Sequence, residues 1–298
     1  TMNASYLTPA ITFFHEDGTL DLENQAKLFE NLVENGMDGI LVEGSASEFF
    51  AMSMDQRREL AGFAVRQVNH RVKLIVNTSN MVADEIVRFS GECLDAGADA
   101  VMILPPYYAH FGADALLRYY DRLARQIHGP IYIYNFPGNV GYSIPPETLA
   151  RLMELHENIV GLKDTTPDMV HTREVIKAAA ARRPDFEVYS GFDDNFAHNL
   201  LSGGSGCIGT LSNLAPEFCS AWTRAFREND LEGIAAGQRR ANALMDLYSV
   251  CDQFPTAFKE ALRLRGFAVS SASTFPAADI TKEESEKVLE ILRKGGIQ

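Results

Sequence analysis

Basic residues are in deficit: 27 Lys and Arg stand against 40 Asp and Glu, a formal charge of -13 with an isoelectric point near 5.0. Without a cationic surplus to displace counterions from phosphates, a nucleic-acid partner is not expected. An anionic small substrate stays open, because the local field of a cleft can oppose the net charge. Cysteine is scarce too. Cys93, Cys207, Cys219 and Cys251 stand alone, with no CxxC pair or Cys/His cluster, so neither a zinc site nor a disulfide framework is indicated and no metal is expected. Four reduced thiols fit a cytoplasmic protein. No apolar run reaches the ~18 residues of a membrane helix, so no membrane partner is expected. The opening Thr1-Met2-Asn3-Ala4 lacks a basic stretch leading into an apolar one, and Thr1 before Met2 reads as an added residue. Nor does a GxGxxG follow the first strand candidate, which disfavours a dinucleotide-binding, doubly wound sheet.

What the chain does have is rhythm. Short apolar runs rich in Val, Ile and Tyr cover Ala10–Phe14, Gly39–Gly44, Val72–Thr78, Ala100–Pro105, Pro130–Asn135, Ile159–Thr165, Phe186–Gly191 and Gly206–Thr210. Longer stretches of helical period separate them. Runs that are apolar throughout, each followed by a helix, read as parallel strands covered on both faces. Helix starts are marked by Asp21 before Leu22, by Ser53, and by Pro145-Pro146, proline being tolerated in a first turn.

Eight such units by residue 228 predict an α/β fold, a closed (β/α)8 TIM barrel of about 250 residues. Beyond Asn229 the strand signal ends. Leu231–Val250, Thr256–Leu264 and Lys282–Lys294 read as helices, so the predicted organisation is a barrel over 1–228 and a C-terminal helical lobe over 229–298.

In a parallel barrel, chemistry collects at the carboxyl ends of the strands. The sixth run is Ile159-Val160-Gly161-Leu162-Lys163-Asp164-Thr165. Side chains alternate, so Gly161, Lys163 and Thr165 share one face. With Val160 and Leu162 against the helices, Lys163 points into the barrel, where desolvation favours a neutral amine able to attack a ketone. A lysine paired with Asp164 or reaching outward is the competing arrangement. On the adjacent run Ile131-Tyr132-Ile133-Tyr134-Asn135, Tyr134 can face the same cavity and relay protons, or lie in the core with its hydroxyl on backbone. The turn Gly44-Ser45-Ala46 offers N–H groups and a hydroxyl to an anion. Asp193-Asp194, at the end of the seventh run, can bind hydroxyls or a metal, or cap a helix. The Gly203-Gly204-Ser205-Gly206 cluster permits close approach to a ligand, or merely tight turns.

Taken together these segments resemble the dihydrodipicolinate synthase/N-acetylneuraminate lyase family of class I aldolases. The resemblance spans essentially the whole chain, and Tyr134-Asn135-Phe136-Pro137 and Gly161-Leu162-Lys163-Asp164-Thr165 carry it, supported by Tyr107-Tyr108 and Gly44-Ser45-x-x-Glu48. It implies that Lys163 forms a Schiff base with pyruvate or another 2-keto acid, that Tyr134 is the acid/base, and that Gly44-Ser45-Ala46 holds the carboxylate. It further implies that Tyr108 reaches across a subunit interface, that the backbone at Ile208 faces the keto acid, and that the protein is a homotetramer, a dimer of dimers. No cofactor is implied.

The departures are specific. Ala46 and Ser47 replace a hydroxyl residue and a glycine common in the family's turn. Asn139 stands where the synthases carry an arginine that clamps the second substrate's carboxylate, and an amide cannot replace that charge. The chain is more similar to the 2-keto-3-deoxygluconate-type aldolases, which implies cleavage of a 2-keto-3-deoxy sugar acid to pyruvate and a hydroxyaldehyde. On that reading Asn139, Thr165 and Asp193 offer hydrogen bonds to the polyol. Dihydrodipicolinate synthase, N-acetylneuraminate lyase and keto-deoxy-glucarate dehydratase use the same lysine and are the alternatives. A metal-dependent barrel lyase using Asp193 and Asp194, and a silent keto-acid-binding barrel, are the rivals from other classes.

Overall fold

The computed structural model describes residues 2–298; Thr1, the expected added residue, lies outside them. Among the described residues, eight strands follow one another in order round a closed barrel: β1 (Ser5–Pro9), β2 (Gly39–Val42), β3 (Lys73–Asn77), β4 (Ala100–Ile103), β5 (Ile131–Asn135), β6 (Ile159–Asp164), β7 (Glu187–Ser190) and β8 (Gly206–Ile208). The recorded ladders between neighbours are parallel. Seven of the eight sequence runs fall on these strands.

The first does not. Ala10–Phe14 is buried, yet the strand is the preceding Ser5–Pro9, paired in parallel with β2 from Leu7 to Pro9. The backbone of Ala10–Phe14 is satisfied largely by side chains: Asn213 accepts from the Ile11 N–H, and Gln25 both accepts from Phe13 and donates to the Ile11 carbonyl. Burial makes a segment apolar, but only a backbone partner makes it a strand. Phe14 keeps one isolated antiparallel bridge, to Leu20.

The chain forms two compact units. One comprises the residues up to Lys73 and from Gly209 onward. Its helix Leu22–Glu34 starts where the Asp21 carboxylate accepts from the Asn24 N–H, and it buries Leu28, Phe29 and Leu32 on one face. Each such side chain withdrawn from water contributes about 1.5–3 kcal/mol. Helix Met54–Val68 opens on a capping box between Ser53 and Gln56. The same unit holds the expected tail helices: Leu231–Leu244, running into a 3-10 turn at Met245–Ser249, then Phe254–Leu264 and Lys282–Lys294.

The other unit runs from Leu74 to Ile208. It contains the β5–β6 ladder, in which Tyr134 lies opposite Lys163 and Asn135 opposite Asp164. Among the described residues no helix is long and apolar enough to cross a membrane.

Candidate active site

Register brings the two principal candidates together. Opposed residues on neighbouring strands point to the same side of a sheet, and the Lys163 Nζ donates to the Tyr134 hydroxyl at 3.3 Å. The same nitrogen lies 4.4 Å from the centre of the Tyr134 ring. Lys163 is 4% exposed and Tyr134 1%, so the lysine neither reaches outward nor pairs with Asp164. Phe136 stacks on Tyr134 at 5.8 Å and meets Phe192 edge-on at 6.2 Å.

Asp164 faces the other way and is fully engaged. Its Oδ1 accepts from the Asn135 amide at 2.8 Å; its Oδ2 accepts from Thr172 at 2.7 Å and from His171 Nδ1 at 2.8 Å. Asn135 Oδ1 in turn accepts from the Ile144 N–H at 3.0 Å. The residue following each candidate is therefore locked to its counterpart, which holds the two strand ends in one register. Sequence reasoning passed over His171 and Thr172. They lie one helical turn into Met169–Arg182, and their only signal was a buried aspartate next to the lysine that required partners.

Thr165 follows on the Lys163 face. It is 4% exposed, and its Oγ1 is buried without a hydrogen-bond partner. Natural interiors rarely leave a hydroxyl so. Gly191 makes room for it: a Cβ there would lie 1.7 Å from the Thr165 Oγ1.

The Gly44-Ser45-Ala46 turn is buried and opens a 3-10 turn over Ser45–Ser47. Ser47, the departure from glycine, is bonded through its hydroxyl to Thr12. Flanking residues take left-handed backbone, Glu43 at φ 60° and Glu48 at φ 59°. Each carries a buried ion pair: Arg57 Nε donates to Glu43 at 2.6 Å, and Lys259 Nζ to Glu48 at 2.5 Å. Burial pushes the Glu43 carboxyl up against the opposing pull of Arg57. Burial likewise draws the Lys259 amine down, opposed by Glu48. Neither pair was foreseen; Lys259 sits inside the apolar stretch Phe254–Leu264, which gave no hint of a buried charge.

The remaining candidates differ in burial. Asp193 is buried at the start of a 3-10 turn, whose N-cap is Phe192 and not an aspartate. Burial raises the Asp194 carboxyl. Ile208 ends β8 and is fully buried. Gly203 and Gly206 both adopt positive φ, so the glycine cluster serves the turn into β8. Asn139 lies exposed in the short helix Pro137–Val140. Tyr108 is 92% exposed.

Residues 2–295 match the model of the dihydrodipicolinate synthetase family. The "Probable 2-dehydro-3-deoxy-D-pentonate aldolase YjhH" of Escherichia coli (strain K12) is 33% identical over 98% of this chain and 97% of its own length. A 4-hydroxy-tetrahydrodipicolinate synthase of Kosmotoga olearia is 32% identical over 93% of this chain and 94% of its own. Among solved structures, YagE, a prophage protein of E. coli K12 crystallised in complex with pyruvate, superposes with a TM-score of 0.96 at 29% identity, covering all of both chains. A family match over nearly the whole length, on a closed barrel with the motif lysine and tyrosine in contact, leaves one assignment: the chain belongs to the dihydrodipicolinate synthetase family and is an enzyme of its aldolase and lyase class.

Proposed function

We propose that the protein reversibly cleaves a 2-keto-3-deoxy sugar acid into pyruvate and a hydroxyaldehyde through a Schiff base on Lys163. The observation that carries this reading is the buried Lys163 Nζ, 3.3 Å from the Tyr134 hydroxyl. The neutral amine attacks the C2 carbonyl, and loss of water leaves a protonated imine. Tyr134, with Ser45 and Tyr108 as its relay, removes the C4 hydroxyl proton. The C3–C4 bond then breaks, its electrons pass into the iminium to form an enamine, and the aldehyde departs. Protonation at C3 and hydrolysis of the imine release pyruvate and restore the lysine.

Gly44, Ser45, Ala46 and the Ile208 backbone take the keto-acid end on this reading, and Asn139, Thr165 and Asp193 the polyol. The partnerless Thr165 hydroxyl supports that division. A name ending in 3-deoxy-D-pentonate aldolase on one relative, and pyruvate in a superposable structure, support the substrate class. Asn139 argues against the synthase reaction, since an amide supplies no charge to pair with the carboxylate of aspartate semialdehyde. The exposed Tyr108 fits a residue covered by a second copy in the homotetramer.

The test is a substrate panel. Pyruvate release from 2-keto-3-deoxygluconate, its galactonate epimer and the pentonates should exceed condensation of pyruvate with aspartate semialdehyde by orders of magnitude. Efficient formation of the dihydrodipicolinate product would overturn the sugar-acid assignment.

A further inference from the structure

His171 belongs to no motif, yet both of its ring nitrogens face acceptors inside the protein. Nδ1 lies 2.8 Å from Asp164 Oδ2, and Nε2 lies 2.7 Å from the Ile144 carbonyl oxygen. A neutral imidazole carries one N–H, so one of these contacts would oppose two lone pairs. A carbonyl cannot supply the missing hydrogen. Asp164 already accepts from Asn135 and Thr172, so its oxygens face donors. With Asp164 a carboxylate, both contacts are satisfied together only when the ring is an imidazolium.

We propose that His171 works as a fixed imidazolium clamp, a positioning residue that ties the substrate-facing segment after β5 to the strand end carrying Lys163. The segment runs from Phe136 to Pro145 and includes Asn139. It is held at Ile144 twice: the carbonyl by His171 Nε2, and the N–H by Asn135 Oδ1, whose own amide binds Asp164. These bonds close a ring through Asp164, His171, Ile144 and Asn135. Two of its members directly follow Lys163 and Tyr134 in the chain. Removing the ring proton orphans the Ile144 carbonyl and leaves Asp164 without its cation.

The groups facing the ring agree. From β6 it meets Asp164, from the segment after β5 the non-titrating Ile144 carbonyl, and from its own helix Asp168, the N-cap. Burial works against the charge, but Asp164, the Ile144 carbonyl and Asp168 outweigh it, and the imidazole is raised above its ordinary value. A cation in the first turn of a helix is opposed by the helix dipole, so the carboxylates are what keep it there.

The clamp rests on the proposed aldol reading for its role, and the experiment separates the two. Neutron diffraction from the intact protein at pH 7 should show deuterium on both Nδ1 and Nε2 of His171. In wild type, kcat/KM for the sugar acid should fall on an alkaline limb as His171 loses its proton. In His171→Gln that limb should vanish. KM for the sugar acid should rise about tenfold to a hundredfold, the usual loss for a charge-assisted hydrogen bond, while borohydride trapping of pyruvate changes far less. A singly protonated ring at pH 7 overturns the proposal, with no need for the variant to fold. So does an alkaline limb unchanged in His171→Gln. Absent pyruvate trapping in wild type would instead overturn the aldol reading and leave the neutron result standing.

Discussion

Replacing Lys259 by methionine keeps the length of the side chain and removes its charge, so the loss reports the buried pair with Glu48. Lys259 is fully buried, and its Nζ donates to Glu48 at 2.5 Å and to the Ala272 carbonyl at 2.9 Å. The other oxygen of Glu48 accepts from the Thr274 N–H at 2.8 Å and from its hydroxyl at 3.0 Å. Two donors remain after the substitution, but the anion stays buried without a cation. Breaking a buried pair in this way costs about 3–5 kcal/mol. At about 2.1 cal/mol/K of unfolding entropy per residue, 298 residues give ~0.6 kcal/mol/K, so Tm should fall by roughly 5–8 °C. Scanning calorimetry at one protein concentration and one scan rate is the assay, since assembly and irreversibility both move Tm. Adding Glu48→Gln should return about 1–3 kcal/mol of that loss as coupling, because the second change removes the stranded charge. A single variant that falls by less than about 2 °C would place the pair in the range of an exposed ion pair and refute the reasoning.

Tyr134→Phe removes one hydroxyl from a residue whose ring is already packed by Phe136; kcat should drop about a hundredfold to ten-thousandfold while pyruvate binding weakens little, and an unchanged kcat would return Tyr134 to the ordinary core. Gly191→Ala places a methyl group where the Thr165 hydroxyl now lies, 1.7 Å away; KM for the sugar acid should rise more than that for pyruvate in the condensation direction, and equal values for wild type and variant would remove Thr165 from the polyol site. Stability should also depend on pH through His171. Its folded value is raised, so its contribution is complete below the unfolded-state value and is lost as pH rises through the folded one; calorimetric Tm should decline over that window in wild type and stay flatter in His171→Gln.

The barrel was legible because its strands are covered on both faces and therefore apolar throughout, with helix signals between them. Lys163 and Tyr134 were legible together: either alone reads as an ordinary buried or paired residue, but adjacent strand ends bring both to one cavity within two specific motifs. β1 was misplaced for the converse reason. Ala10–Phe14 is more apolar than Ser5–Pro9, but side chains take several of its backbone groups, one of them 202 residues away, and no local pattern records that. The same holds for the buried pair of charges. Glu48 and Lys259 are separated by 211 residues, and neither on its own announces a buried partner. His171 lies seven residues from Asp164, close in sequence, but a lone histidine near a helix start carries no mark of its protonation. That becomes visible only when both acceptors are in place.

The central claim is that Lys163 is the covalent nucleophile. Incubation with pyruvate and borohydride should leave one reduced adduct per chain, mapped by peptide mass spectrometry to Lys163, and Lys163→Ala should lose both adduct and turnover while keeping its fold. An adduct on another lysine, Lys259 above all as the second fully enclosed amine, would contradict the account, as would turnover surviving in Lys163→Ala.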